Sequence, residues 1–270
     1  MGTLDHKTRG RTSPERLRAL DAYLVHAEDT LLRRDDGAWA DAAFVDVGFG
    51  EHPWTTLESA RAFRALNPGL RVIGVELEPH RVEAAFEHRD GLTDFRAGGF
   101  DLPLSPGERV RLIRALNLLR GYPPEGVSEV HRRLGGALLD GGLLVEGSTD
   151  AQGGVGVSHL LRRRGDVVLR EALLFHTDFS HGFAPILFRD WLLRDLRRRA
   201  VPGQPIHAFL ADWTAAWEEA RAGRSLSPTD AFRETVPRLA RRREGIATDP
   251  WLAERGYLLW KPEGGVPEAR

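Results

Sequence analysis

The stretch that decides the fold is Phe44-Val45-Asp46-Val47-Gly48-Phe49-Gly50-Glu51. The apolar run up to Val47 predicts a short buried strand, and the glycines after it let the backbone come close to a ligand. Thr55-x-x-Glu58 is a capping box, which predicts a helix from Thr55 to the break at Asn67-Pro68-Gly69. The run Arg71–Glu76 predicts a second strand, so this region forms a strand–helix–strand unit with parallel strands.

The same alternation of strands and helices continues along the chain. It predicts a helix over Pro79–His88, strands over Asp94–Ala97 and Val110–Ala115, a helix carrying Val127, Val130 and Leu134, and a strand over Leu143–Glu146. Strands that alternate with helices favour an α/β fold. We therefore expect a doubly wound, Rossmann-like, mostly parallel sheet with an N-terminal helix and a C-terminal helical cap.

The flanking segments predict three parts within one domain. Residues 1–40 form an N-terminal helical segment with Ser13 as N-cap, 41–180 form the cofactor-binding core, and 181–270 form the helical cap and the final strand. The core includes a polar loop over 148–156 and a strand over 167–175. In the cap, Ile206, Phe209, Leu210, Trp213 and Trp217 form a helical stripe, Pro237 should kink a helix, and Tyr257–Trp260 is predicted to be a strand.

Composition excludes several classes of protein. The 270 residues contain no cysteine, which excludes disulfides, cysteine-based metal sites and thiol catalysis. The net charge of −1 does not suggest a general nucleic-acid binder. No apolar run approaches the roughly 18 residues of a membrane span, and the polar start does not resemble a secretory signal, so we expect a soluble cytoplasmic protein. The runs Arg162–Arg164, Arg197–Arg199 and Arg241–Arg243 are predicted at helix ends, with a phosphate-binding patch as the alternative.

The glycine loop and Glu76 together predict a site for a nucleoside-containing cofactor. In open α/β sheets, ligands bind at the carboxyl ends of the strands, where an acid such as Glu76 can accept both hydroxyl hydrogens of a ribose. Pro53 stands where a dinucleotide fingerprint needs its third glycine, and Glu51 would repel a pyrophosphate. S-adenosylmethionine has no phosphate, and its sulfonium and ammonium groups would be attracted by Asp46 and Glu51.

Five segments resemble class I S-adenosylmethionine-dependent methyltransferases. Phe44–Glu51 resembles motif I, Val72–Leu77 the segment that follows, and Gly98–Pro103 the region after the third strand. Leu112–Leu119 is similar to the fourth strand with its exit loop, and Leu138–Glu146 to the turn into strand five. The resemblance covers roughly residues 40–150. The longer string from Asp46 to Thr56 resembles an uncharacterised bacterial subgroup, which implies no substrate.

The resemblance implies roles for individual residues. Gly48, Phe49, Gly50 and Glu51 would surround the methionine part with Asp46 in support, Glu76 would hold the ribose, and Leu77 would lie beside the adenine. The family's third-strand acid is replaced by Gly99, so Phe100 or Asp101 would have to take over recognition of the adenine amino group. Asn117 lies just past the fourth strand, above the expected cofactor, where it could hold an acceptor or the methionine group; capping of the strand–loop junction is the structural alternative. A lid over the cofactor, formed by Thr8–Thr12, is a further expectation, with a disordered tail as the alternative.

The catalytic residues are not determined by the sequence. Methyl transfer needs an acceptor placed in line with the methyl group and, for a hydroxyl or ammonium, a base. His52, Asn117 and Glu146 are candidates, with Asp150 near the expected substrate side. His176, Asp178 and His181 are ligand types for a metal, but no metal is predicted. Trp54, Trp213 and Trp217 could line an acceptor pocket, although the last two fit a core better.

The sequence therefore predicts a methyltransferase with S-adenosylmethionine as cofactor and an unknown acceptor. Two alternatives stay open: a non-catalytic module that binds the cofactor, and an NAD-dependent oxidoreductase. A small-molecule acceptor is favoured and nucleic acid is not excluded. No membrane partner is expected, and the oligomeric state is undetermined.

Overall fold

An eight-stranded sheet forms the centre of the computed structural model, which describes residues 12–265. The strand order is β3-β2-β1-β4-β5-β6-β7-β8. The first five strands run parallel, whereas β6, β7 and β8 are antiparallel to their neighbours. The strands are Ala43–Val47 (β1), Val72–Glu76 (β2), Thr93–Ala97 (β3), Val110–Leu116 (β4), Leu138–Thr149 (β5), Val155–Arg164 (β6), Val167–Thr177 (β7) and Tyr257–Trp260 (β8).

Helices cover both faces of this sheet. The α-helices are Arg18–Ala27 (α1), Asp29–Arg33 (α2), Trp54–Arg64 (α3), Pro79–Ala85 (α4), Pro124–Gly136 (α5), Arg194–Arg197 (α6), Pro205–Arg221 (α7), Pro228–Arg242 (α8) and Pro250–Glu254 (α9). Short 3₁₀ turns lie at Gly37–Trp39, Phe86–His88, Leu119–Gly121 and Pro185–Trp191. No helix within residues 12–265 is long and apolar enough to cross a membrane.

The sheet is doubly wound, as the sequence predicts. One face packs against α1 to α4 and α9, and its core includes Phe44, Phe63 and Leu252. The opposite face packs against α5 over the parallel strands and against α6 to α8 over the antiparallel ones. The chain leaves β1 toward β2 and returns to β4 on the other side of β1, so the gap between the ends of β1 and β4 is the topological switch point.

The segment predicted as a cap forms part of a helical layer. The apolar stripe of α7, which includes Phe209 and Trp213, packs on Phe175 and Leu258 from the face of β7 and β8. Trp213 is fully buried among aromatic rings, and Trp217 packs against the same core, so both belong to the core. Helices α6 to α8 therefore cover an extended face of the sheet.

Several local predictions at the N-terminal side were wrong because tertiary contacts override them. Helix α1 begins at Arg18, since the Ser13 hydroxyl donates to the carbonyl of Ala151 instead of capping the helix. Helix α3 begins at Trp54, before the predicted Thr55 cap. Glu58 accepts two hydrogen bonds from the backbone N–H of Glu15, at 2.9 and 3.0 Å, and so closes no capping box.

Other errors concern the second half of the chain. The predicted loop over 148–156 is partly strand, and the sequence did not predict β6 at all. Arg162–Arg164 therefore end a strand, not a helix. Helix α8 continues to Arg242, so Pro237 does not split it, and the kink at Pro237 stays a prediction. Pro237 has no N–H, so the carbonyl of Arg233 lacks its hydrogen-bond partner in the helix. Both residues are exposed, so water can hydrate that carbonyl.

Candidate functional site

The glycine loop follows β1 directly and lies at the switch point. Gly48 and Gly50 have φ angles of +74° and +88°, a left-handed backbone conformation that favours glycine. The N–H of Gly48 donates to the carbonyl of Val75 at 2.7 Å, which ties the loop to β2. The side chain of Leu118 packs on Gly48 so closely that a Cβ there would overlap it. Leu118 therefore covers the part of the loop that was predicted to lie under a methionine group.

Glu76 ends β2 and is bonded to the same loop. Its Oε2 accepts a hydrogen bond from the N–H of Gly50 at 2.8 Å, and its Oε1 accepts from the N–H of Leu77 at 2.9 Å. The guanidinium of Arg81 lies 3.4 Å from Oε1. The carboxylate is buried, and these donors compensate for its loss of water. The structure thus brings Gly50 and Glu76 into direct contact, although 26 residues separate them.

Asp46 faces away from the loop and into a buried ionic network. Its Oδ1 accepts from Nε of Arg114 at 2.9 Å, and its Oδ2 accepts from the hydroxyl of Thr56 at 2.6 Å. Arg114 also donates to Asp21 of α1 at 2.8 Å. Because its charge is paired inside the protein, Asp46 is not free to attract a sulfonium group as predicted.

The other residues predicted around the cofactor have diverse environments. Phe49 is buried with its ring edge against Phe95, at 5.4 Å between ring centres, and Phe100 is buried against Tyr122 at 5.6 Å. Glu51 is exposed, whereas Leu77 and Gly99 are half-buried. Asp101, the alternative partner for adenine, points outward and pairs with Arg133 at 3.1 Å.

Asn117 is held rigidly at the junction of β4 and its exit turn. Its φ of +61° is unusual for a residue with a side chain. Its backbone N–H donates to the carbonyl of Gly147 at 2.7 Å. Its side-chain amide bonds the hydroxyl and the N–H of Thr149 at 3.2 and 2.9 Å. The side chain therefore ties β4 to β5, which is the structural alternative to a direct role in binding an acceptor.

Glu146 lies inside the protein, in a buried polar cluster beneath α5 and α6. Its Oε2 is 3.4 Å from Nε2 of His131, whose Nδ1 accepts from Arg170 at 3.2 Å. Arg170 also bonds Asp195 at 2.6 Å, and Asp195 is 3.2 Å from Nε2 of His159. Glu146 is thus placed against His131 of α5, two strands across the sheet from Val47 at the end of β1.

Burial shifts the titration of this cluster. It raises the pKa of Glu146 to about 8 and lowers the pKa of His159. Burial alone would raise the pKa of Asp195 too, but His159 and Arg170 hold it well below its usual range. Near neutral pH the cluster therefore contains the ion pair of Arg170 with Asp195, and Glu146 is protonated.

The remaining candidates lie in three places. His52 is exposed and stacks on Trp54, at 4.4 Å between ring centres. Asp150 follows β5. Its Oδ1 accepts from two backbone N–H groups, and its buried Oδ2 lies 3.7 Å from Nε2 of His181. His176 bonds the carbonyl of Gly153. In the described part of the chain, no three His, Asp or Glu side chains are arranged to hold a metal.

Three important residues were missed by the sequence reasoning. Arg16 donates to the carbonyls of Asp150 and Thr149 at 3.0 and 3.4 Å, so residues just before α1 reach the end of β5. The predicted lid, Thr8–Thr12, lies almost wholly outside the described residues. Leu118 and Arg114 were also missed. Arg114 carried a usable signal, because an arginine within a buried apolar strand needs a partner.

Comparisons with known proteins give only partial likeness. No protein-family model matches the chain, and the search of curated proteins found no match. Among solved structures, magnesium protoporphyrin IX methyltransferase from Synechocystis PCC 6803 with bound SAH is 19% identical, with a TM-score of 0.36 over 49% of this chain and 54% of that one. Human N-acetylserotonin methyltransferase in complex with SAM is 22% identical, with a TM-score of 0.32 over 49% and 37%.

A third match is LepI in complex with SAM, which is 22% identical with a TM-score of 0.33 and covers 42% of this chain and 28% of that one. This chain thus spans from about a quarter to just over half of the length of these three proteins. TM-scores of this size carry no functional argument.

Proposed function

We propose that this protein is a methyltransferase that uses S-adenosylmethionine. The observation that carries the proposal is the bond between Gly50 and Glu76, which places a buried carboxylate at the end of β2 beside the glycine turn at the switch point. In open α/β folds this is the position where ligands bind. S-adenosylmethionine, when bound, supplies an electrophilic methyl group on its sulfonium.

The chemistry of these residues fits an adenosyl group better than a dinucleotide. Oε2 of Glu76 accepts a hydrogen bond from the Gly50 N–H, and a carboxylate oxygen has a second lone pair that can accept a ribose hydroxyl. Glu76 and the exposed Glu51 give the loop two carboxylates, which would repel a pyrophosphate. The side chain of Leu118 must move away from Gly48 before a ligand can bind against the loop. This side chain is only half-buried, so little packing opposes the movement.

Binding calorimetry tests the cofactor assignment. The wild-type protein should bind S-adenosylhomocysteine and not NAD. Glu76→Gln should weaken that binding about 10- to 100-fold, because hydrogen bonds to a charged group contribute about 1.5–3 kcal/mol. Glu83→Gln, an exposed carboxylate on α4, is the matched control and should bind like wild type. Binding of NAD alone, or of neither ligand, would overturn the proposal.

The proposed acceptor is a small molecule, since the net charge of −1 offers no general attraction to nucleic acid. A second candidate function is cofactor binding without catalysis. It is favoured because the polar groups of Asn117 and Glu146 are already engaged with Thr149 and His131. Transfer of a labelled methyl group to a panel of phenols, amines and carboxylic acids separates the two. Turnover of any of them supports catalysis, whereas tight cofactor binding without any transfer supports the second candidate.

A further inference from the structure

A buried arginine connects the glycine loop to the N-terminal helix. Arg114 of β4 is fully buried and lies between two carboxylates, with Nε 2.9 Å from Asp46 of β1 and NH1 2.8 Å from Asp21 of α1. Asp46 and Asp21 are themselves 3% and 5% exposed. All three charges are therefore withdrawn from water and depend on one another for compensation.

The same guanidinium also bonds the helix that follows the loop. Its NH2 donates to the carbonyl of Thr55 at 3.2 Å, and its NH1 donates to the hydroxyl of Ser59. On the other side, the Thr56 hydroxyl donates to Asp46 at 2.6 Å. Residues 48–53 lie between Asp46 and these residues of α3. Arg114 therefore fixes both ends of the glycine loop relative to each other.

The third partner, Asp21, brings α1 into this arrangement. Burial raises the pKa of Asp21 to about 6, while Arg114 and the Ser59 hydroxyl favour its ionised form. The hydroxyl of Ser59 lies 2.7 Å from Asp21 Oδ2, so α1 and α3 share a polar contact inside the apolar layer. Loss of this contact would remove the buried polar link between α1 and α3.

We propose that Arg114, together with Asp21, positions the glycine loop for cofactor binding, so that α1 is part of the cofactor-binding unit. This inference rests on the proposed function, since the loop's ligand is the adenosyl cofactor named above. Arg114 is a positioning residue in this view. It acts through Asp46 and α3 and touches no ligand itself.

The chain offers a matched control on the same strand. Arg111 is also fully buried, but it donates only to backbone carbonyls of the α2–β1 segment, including those of Leu31, Leu32 and Ala42 at 2.8–3.0 Å. Arg111→Met and Arg114→Met remove the same group from the same strand. Both should lower thermal stability. Only Arg114→Met should weaken binding of S-adenosylhomocysteine, by at least about 10-fold, when measured below its unfolding temperature.

Two further variants and a second measurement distinguish a positioning role of Arg114 from a general loss of stability. Arg114→Lys should restore part of the affinity, because it retains the charge between Asp46 and Asp21. Asp21→Asn preserves the shape of the side chain and should weaken binding severalfold. If Arg114→Met does not fold, Asp21→Asn is the variant to be tested in its place. Hydrogen exchange, which needs no ligand, should quicken at the amides of 48–53 in Arg114→Met but not in Arg111→Met.

The outcomes separate the two proposals. If wild type does not bind S-adenosylhomocysteine, the proposed function fails, and the assignment of the loop's ligand fails with it. If wild type, Arg111→Met and Arg114→Met bind equally and their loop amides exchange alike, the positioning role fails and the proposed function stands.

Discussion

Replacing Glu146 by glutamine should stabilise the protein at alkaline pH. Burial raises the pKa of this carboxyl group from 4.5 to about 8. The folded protein therefore keeps a proton that the unfolded chain releases, and the free energy of unfolding of the wild type falls as the pH rises from about 4.5 to about 8. Below about pH 4.5 the contribution of Glu146 to the free energy of unfolding is fully present, and above about pH 8 it is lost.

The magnitude follows from proton linkage. One proton bound only by the folded state changes the unfolding free energy by about 1.4 kcal/mol per pH unit. Between about pH 6 and pH 8, the titration of Glu146 should lower the free energy of unfolding of the wild type by about 2 kcal/mol. This corresponds to a decrease of a few degrees in Tm for a chain of this size. Arg170 can only donate to Nδ1 of His131, so Nε2 of His131 carries the hydrogen and can donate to the amide oxygen that Glu146→Gln introduces.

Urea unfolding of wild type and Glu146→Gln at both pH values measures this difference. Asp21, whose pKa burial also raises, titrates in both proteins and cancels when one pH dependence is subtracted from the other. His159 interacts electrostatically with Glu146, so the difference reports Glu146 together with the change that its loss causes at His159. Glu83→Gln, which changes an exposed carboxylate on α4, is the control and should leave the pH dependence unchanged. Equal pH dependence in wild type and Glu146→Gln would refute the reasoning.

Two other substitutions test packing near the site. Gly74→Ala should destabilise the fold by about 1–3 kcal/mol, because the new Cβ would lie 2.6 Å from the ring of Phe95. Gly91→Ala is the control and should be nearly neutral, because its Cβ would enter open space. Thermal unfolding of both variants measures the difference. Leu118→Ala removes the side chain packed on Gly48, so calorimetry should find S-adenosylhomocysteine bound as tightly as by wild type or several times more tightly. A large loss of affinity in Leu118→Ala would instead make Leu118 a contact of the ligand.

Much of the fold was predictable from local pattern. The strands β1, β2, β4 and β7, the glycine loop and the stripe of α7 are each encoded in a few consecutive residues, and the structure confirms them. Strand β6 was missed because its first two residues, Val155 and Gly156, fall in a stretch of small and polar residues and its last three, Arg162–Arg164, were predicted at a helix end. Val155–Arg164 form a strand because β5 and β7 hydrogen-bond to them on both sides. The local sequence of β6 does not show that these neighbouring strands will be there.

The sequence by itself determined the α/β class, the glycine turn after β1 and the acid that ends β2. These features depend on hydrophobic runs and on glycine's conformational freedom, which act over a few residues. Only the tertiary structure decided which charges are free at the site. Arg114 pairs with Asp46 and Asp21, which are 68 and 93 residues away, and Glu146 is buried against His131. A buried charge must find a partner wherever the fold supplies one, and no local pattern specifies where that partner lies.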